Sequence, residues 1–256
     1  MILAVDIGNS NIVLGGMEGM DIVFEARIRT DATKTSDEYC IDLKNILDIY
    51  GVCRESVEGA IIASVVPQVL NSIKTAIKKL TGKNSMVVGP GLKTGLNIRI
   101  DNPSQTGADL VVGAVAALRF HKPPMIVIDM GTATTMMVLD ESGAFIGGSI
   151  SPGVKLSLDA LTNGTALLPG LQLDSPRKAI GRNTIDCMRS GIMMGHACMI
   201  DGMVDRMEAE LGSKTTVVAT GGIAKFVLPL CRTQVLYDKD LLLKGLAILY
   251  AENARN

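Results

Sequence analysis

Tryptophan is absent from the 256 residues, and aromatics make up only 3% of them. So little ring surface excludes a nucleic-acid face built on base stacking. No block of Lys and Arg occurs and the formal net charge is −1. The clustered cations that neutralise a phosphate backbone are therefore missing as well. The two histidines, His121 and His196, stand far apart without metal spacing, and each reads as a helix-surface or core residue. The five cysteines, Cys40, Cys53, Cys187, Cys198 and Cys231, are odd in number and form no C-x-x-C. They read as reduced thiols packed as small hydrophobes, with no activating neighbour to make one a nucleophile. No apolar run is long enough for a membrane helix, and Asp6 breaks the opening one, which has no basic residues ahead of it. The expectation is a cytoplasmic protein. No G-x-x-x-x-G-K-[ST] is present, no G-x-G-x-x-G follows a strand, and G-x-S-x-G and H-E-x-x-H are also lacking.

What is present is a pattern that occurs twice. Ile2–Leu14 has an apolar strand, then Asp6-Ile7-Gly8-Asn9-Ser10-Asn11, then a second apolar strand. Pro124–Leu139 repeats it around Asp129-Met130-Gly131-Thr132-Ala133-Thr134, 123 positions later. Each copy predicts two buried strands joined by a tight hairpin. An ordinary β-turn favours Gly, Asn, Ser and Asp. The same residues also suit a metal-chelated polyphosphate, the metal taking the carboxylate and backbone N–H groups taking phosphate oxygens. A fainter echo relates Gly59–Pro67 to Thr216–Ala224, both strands followed by a helical pattern. Repetition at half-length predicts two related domains, each opening with a phosphate-facing hairpin. With 47% hydrophobic residues, the chain has material for a sizeable core.

The intervening segments are read by period and punctuation. A third strand is expected over Ile22–Arg29, and a helix with Thr35 as N-cap should run to Gly51. A helix entered at Pro67 should stop at Gly82. Met86–Val88 reads as a short strand. Ala108–Leu118 is apolar on nearly every side and should be a deeply buried helix. Asp109 interrupts that surface: it either offsets the helix dipole or presents a carboxylate to a cleft from a rigid element. Burial near other acids would raise its pKa, as a general base requires. Gly147–Val154 reads as a Gly/Ser-rich turn leading into a helix, and Asn163–Pro176 as an irregular loop with Leu167-Leu168-Pro169 partly covered. A long helix is expected from Ile185 towards Leu211, with Gly191, Gly195 and Gly202 explained by close packing, at a subunit contact or elsewhere. Gly221-Gly222 would let a flat ligand lie on the backbone. A strand at Gln234–Tyr237 and a helix through Leu242, Leu246 and Leu249 close the chain.

The two Asp-x-Gly hairpins, with Ala219-Thr220-Gly221-Gly222-Ile223-Ala224, resemble the phosphate and adenosine motifs of the acetate kinase, sugar kinase, Hsp70 and actin superfamily. Within it the whole chain resembles the type III pantothenate kinases. The most specific pieces are Asp6–Asn11, Asp101-Asn102-Pro103 with Gly107-Ala108-Asp109, and Ser149-Ile150-Ser151-Pro152-Gly153. The resemblance implies two ribonuclease H-like domains of the actin-like ATPase fold, each a mixed five-stranded α/β sheet flanked by helices, over 1–118 and 119–256. It implies transfer of the ATP γ-phosphoryl group to the terminal hydroxyl of pantothenate, the first step towards coenzyme A. Asp109 would be the base. Asp6, Ile7, Gly8, Asn9, Ser10, Asn11, Ile12, Val13 and Thr132 would bind ATP, with Asp6 on Mg²⁺. Gly107, Ala108, Asp109, Leu110 and Thr184 would bind the substrate. Asp129 would hold K⁺ or NH₄⁺, and the protein would be a homodimer that binds neither nucleic acid nor membrane. Leu110 stands where the family often has Arg, and Ile100 where it often has Tyr, which touches the expected substrate affinity. The competing readings are a nucleotide-binding transcriptional accessory protein and another small-molecule kinase of the fold.

Overall fold

The computed structural model describes residues 1–254. The chain divides into two compact units. The first holds Met1–Leu96, Asn102–Arg119 and the chain from Asp240; the second holds Asn97–Asp101 and Phe120–Lys239. This division follows the two sheets, so the last helix belongs with the first unit although the sequence halves meet at 118/119.

In the first unit, β1 (Ile2–Ile7), β2 (Asn11–Glu18), β3 (Asp21–Arg29), β4 (Gly59–Ser64) and β5 (Ser85–Val87) form a sheet ordered β3-β2-β1-β4-β5. β1 runs antiparallel to β2 and parallel to β4. The helices are α1 (Ser36–Ile49), α2 (Pro67–Thr81), α3 (Ala108–Phe120) and α8 (Leu241–Asn253). Strand alternation decides which face each helix covers. Leu3, Val5 and Ile7 pack with Tyr39, Leu43 and Leu47 of α1 and Ile73 and Ile77 of α2. The opposite face carries Ile2, Ala4 and Asp6. A Cβ at Gly15, which pairs with Ala4, would press on Leu243, and one at Gly59, which pairs with Ile2, would press on Tyr250. α8 therefore lies on the Asp6 face. It also meets α3, because a Cβ at Gly245 would overlap the Val112 backbone. Both α3 and α8 are buried around most of their circumference, which answers to their lack of a polar face.

Local chemistry sets the ends. Thr35 makes a capping box with Glu38. Pro67 opens α2 and Gly82, at φ +72°, closes it. Gly19, at φ +61°, turns β2 into β3.

The second unit repeats the plan. Its strands are β6 (Met125–Met130), β7 (Ala133–Leu139), β8 (Phe145–Pro152), β9 (Thr216–Thr220) and β10 (Leu236–Tyr237), ordered β8-β7-β6-β9-β10. β6 is antiparallel to β7 and parallel to β9, so β6 corresponds to β1 and β9 to β4. Ile126, Ile128 and Met130 pack under α4 (Val154–Asn163), α6 (Gly195–Leu211) and α7 (Ala224–Val227).

Several expectations change here. Gly147–Pro152 is not a turn but most of β8; it pairs along β7, with Gly148 packed against the Met136 backbone. Its Gly, Ser and Pro content looks like a turn, yet an edge strand tolerates such residues. The long helix exists but is interrupted: α5 (Thr184–Arg189) passes through a π turn at Ser190–Met194 into α6. At Gly191, Gly195 and Gly202 an added Cβ would meet nothing within 4 Å, so packing inside this chain does not account for them. Leu167 is exposed rather than covered, whereas Leu168 packs on the core. All five cysteines are free thiols, but Cys53, Cys187 and Cys198 are exposed rather than packed as small hydrophobes. Among the described residues no helix is long and apolar enough to cross a membrane.

Candidate active site

The two Asp-x-Gly hairpins stand at equivalent places, with Asp6 and Asp129 at the C-terminal ends of the first strands of the two sheets. Each tip is closed by its own glycine N–H: Gly8 donates to Asn11 O at 3.0 Å and Gly131 to Ala133 O at 3.0 Å. These N–H groups hold the turn rather than waiting for a phosphate. Asn9, Ser10, Asn11 and Thr132 are exposed. Ile7 and Ile12 are fully buried in the face covered by α1 and α2, so a nucleotide would meet only their main chain. Val13 pairs with Asp6 and is half-buried.

In both copies, the residue just after the third strand braces the tip. Thr30 follows β3; its hydroxyl donates to Gly8 O at 2.7 Å and its N–H to Ser10 O at 3.1 Å. Gly153 follows β8, and its N–H donates to Thr132 O at 3.0 Å. A Cβ at Gly153 would overlap the Gly131 and Thr132 carbonyls, so the close approach needs glycine. The brace in the first copy is itself anchored. Buried Tyr39 donates its hydroxyl proton to Asp31 O at 2.8 Å and accepts from Asp31 N at 3.0 Å. Thr33 donates to the Asp31 carboxylate through side chain and backbone, which holds that group below its ordinary pKa. Sequence reasoning passed over Thr30, because one Thr after an alternating strand carries no distinctive signal.

Asp109 is placed by backbone contacts. The position of a Cβ at Gly107 lies 3.7 Å from Val65 Cγ1, and Val65 donates its N–H to Ile7 O at 3.1 Å. The start of α3 is thus beside the C-terminal ends of β1 and β4, on the helix layer that shares the Asp6 face. Asp6, Gly8 and Asp109 come together at one end of the first unit. The Asp109 carboxylate tucks under Gly107, where a Cβ would overlap Oδ1. Oδ1 also accepts from Leu110 N at 2.8 Å. Burial raises the Asp109 pKa, and the N–H groups of Leu110 and of Asp109 itself oppose the rise. No neighbouring charge contributes, so desolvation alone supplies the shift that the sequence reading attributed partly to nearby acids. Ala108 and Leu110 are half-buried alongside. The hydroxyl of Thr106, just before Gly107, is shielded from solvent and has no protein partner. Such an orphan carries an uncompensated desolvation cost.

Asp129 differs from Asp6 in its flanks. Asp6 pairs with Val13 and Ala63, whereas Asp129 pairs with Thr135 and Thr220. Register places both threonines on the carboxylate's face, giving an oxygen-rich row where the first copy is apolar. Thr184 is exposed at the first position of α5, behind the N-cap Asn183, whose Oδ1 accepts from Asp186 N at 2.9 Å. Gly221, at φ +99°, lies against the Met130 backbone, so it is spent on the close approach of β6 rather than left open. Among the described residues no group of three or more His, Cys, Asp and Glu is gathered for a metal. A cation at either hairpin would therefore draw most of its donors from ligand oxygens and water, a donor set that suits Mg²⁺.

A cavity of about 610 Å³ lies in the second unit, lined by Asp201, Glu208, Arg232 and Leu236 among others. Its carboxylates serve the fold. Burial would raise Asp201, but the N–H groups of Arg232 and Thr233 prevail and lower it. Glu208 is likewise lowered despite burial, through Lys214 and Thr215.

Comparison with known proteins agrees with this architecture. The family model described as type III pantothenate kinase matches residues 2–206. A type III pantothenate kinase of an Exiguobacterium species is 43% identical over 255 residues, covering 100% of both chains. Component A of the (R)-2-hydroxyglutaryl-CoA dehydratase of Acidaminococcus fermentans superposes with a TM-score of 0.60 at 16% identity, over 100% of this chain and 99% of that one. The activator of the 2-hydroxyisocaproyl-CoA dehydratase of Clostridium difficile, solved with bound ADPNP, gives 0.59 at 16% identity, over 99% and 94%. The likeness to these structures is one of fold, the actin-like ATPase fold with two five-stranded mixed sheets. The paired hairpins, the acid at the head of α3 and the full-length match together place the chain in the type III pantothenate kinase family.

Proposed function

We propose that this chain transfers the γ-phosphoryl group of ATP to the terminal hydroxyl of pantothenate, with Asp109 as the general base. One observation carries the assignment of the base: a desolvated carboxylate with a raised pKa, fixed under Gly107 at the end of the first sheet where Asp6 and the Gly8 tip also lie. The acceptor oxygen forms a bond to the γ-phosphorus as the bond to the β–γ bridging oxygen breaks. ADP leaves, and the hydroxyl proton passes to Asp109. Phosphoryl transfer depends chiefly on positioning and charge stabilisation. Residues 6–13, with Thr132, hold the nucleotide; Gly107, Ala108, Leu110 and Thr184 hold the acceptor. Asp6 would hold Mg²⁺ and Asp129 would hold K⁺ or NH₄⁺, each of which would supply positive charge to phosphate oxygens. The Thr135 and Thr220 flanks support the second placement, since monovalent cations favour several neutral oxygens beside one carboxylate.

The family resemblance supports a cytoplasmic homodimer acting on small molecules, without nucleic acid or membrane. The full-length match to a pantothenate kinase favours the enzyme over the transcriptional accessory reading. Asp109→Asn separates the roles. Its kcat should fall by roughly a hundredfold or more, the usual scale for a lost general base, while ATP binding stays within about twofold. A variant that retains wild-type turnover refutes the assignment. Exchanging K⁺ for Na⁺ should depress the rate, and indifference to the cation would remove Asp129 from that role.

A further inference from the structure

In the second unit, the strand-free segment before α5 folds back on the helix and borders an open pocket of about 210 Å³. Two contacts hold that segment in place. Ser190 donates its hydroxyl to Ala179 O at 2.6 Å. Gly181 lies so close to the 186–187 backbone that a Cβ there would overlap Asp186 C and Cys187 N. The pocket is therefore built by the fold rather than formed by chance side-chain placement. Arg177, Lys178, Arg182 and Arg189 line it, opposed by a single carboxylate, Asp186. Asp186 is already engaged: it accepts from Asn183 Nδ2 at 2.8 Å and stands 3.8 Å from Arg189. Arg189 Nε is shut off from solvent with no acceptor.

Gathering four like charges against one opposite charge costs stability, and a buried guanidinium N–H without an acceptor costs more. An oxyanion held among these cations would offset the first of these costs. Guanidinium forks match phosphate geometry through paired N–H···O bonds. The residual charge of the lining is three positive, which suits a multiply charged phosphate better than a monocarboxylate. A pocket of this size takes a phosphate group and not a whole nucleotide. None of these four cations is among the residues assigned above to ATP or pantothenate.

We propose that Arg177, Lys178, Arg182 and Arg189 form a phosphate-binding pocket. The phosphate comes either as the free ion or as a group carried by a nucleotide, and titration distinguishes the two. Inorganic phosphate is titrated calorimetrically into the full chain at low salt, with and without a saturating non-hydrolysable ATP analogue, for the wild type and for R177Q and R182Q. Both arginines are exposed, so the variants should fold, and melting curves check this. If free phosphate is the ligand, binding persists with the analogue present and weakens about tenfold in each variant, the scale of one charged hydrogen bond. If the group belongs to the nucleotide, the analogue abolishes phosphate binding and itself loses about tenfold in each variant. Phosphate and analogue affinities that both stay unchanged in R177Q and R182Q would overturn the proposal. So would a loss confined to pantothenate, which would make the occupant a carboxylate.

Discussion

Gly107→Ala isolates the geometry on which the proposed chemistry depends. Gly107 has no left-handed φ, so alanine fits the backbone. The difficulty is local: the new Cβ falls on Asp109 Oδ1, and the carboxylate must move by about 1 Å to regain ordinary contact. A carboxylate at the end of a side chain can do this by rotating, at roughly 0.5–1.5 kcal/mol for a strained rotamer. The helix start loses about 1 kcal/mol more, since glycine is favoured over alanine there. For a chain of this length that is a fall of only a few degrees in Tm. Catalysis is far less forgiving, because a misplacement of about 1 Å can cost roughly a hundredfold in rate. The predicted variant is therefore folded, binds ATP, and has kcat lowered by about tenfold to a hundredfold. Steady-state ADP release, melting curves and ATP titration measure the three quantities. Wild-type kcat in Gly107→Ala would refute the claim that this contact sets the base.

Three further outcomes follow from named contacts. The Asp109 pKa is raised in the folded state, so the folded chain holds that proton more tightly than the unfolded one. Its burial cost is then absent below the ordinary aspartate range and complete once the pH passes the raised value. Asp109→Asn should accordingly melt higher than wild type near pH 7, with the gap closing in acid; a variant less stable at neutral pH contradicts this. Thr30→Val removes the 2.7 Å bond to Gly8 O. It should cost about 1 kcal/mol and raise the KM for ATP several-fold with a smaller effect on pantothenate, and an unchanged KM for ATP would dismiss the brace. Asp201→Ala strips the acceptor from the Arg232 and Thr233 N–H groups. A stability loss of about 2–3 kcal/mol is expected in denaturant melts, with kcat nearly unaffected.

The repeat was legible in the sequence because strand, acid and glycine recur in the same order, and the two sheets share one topology. Helix boundaries were readable where capping chemistry is explicit, at Thr35, Pro67 and Gly82. β8 is not legible in the sequence because an edge strand can be built from residues that usually mark turns. Partition of the last helix to the first unit was not legible, since its apolar circumference says that it is buried but not against what. At the site, the residue types were apparent while the supports were not. Thr30, the tuck of Asp109 under Gly107, and the π turn before α6 all depend on contacts between segments distant in sequence or on backbone detail. The four cations of the α5 pocket carry no sequence signal for a related reason, being spread over thirteen positions without forming a run.

The most direct measurement is identification of the phosphorylated product. Purified protein with Mg²⁺, K⁺, ATP and pantothenate should yield ADP and pantothenate carrying one phosphoryl group on its terminal hydroxyl, in equal amounts, by mass spectrometry and phosphorus NMR. ADP formed at the same rate without pantothenate, or the phosphoryl group found on any other acceptor in its place, would contradict the account.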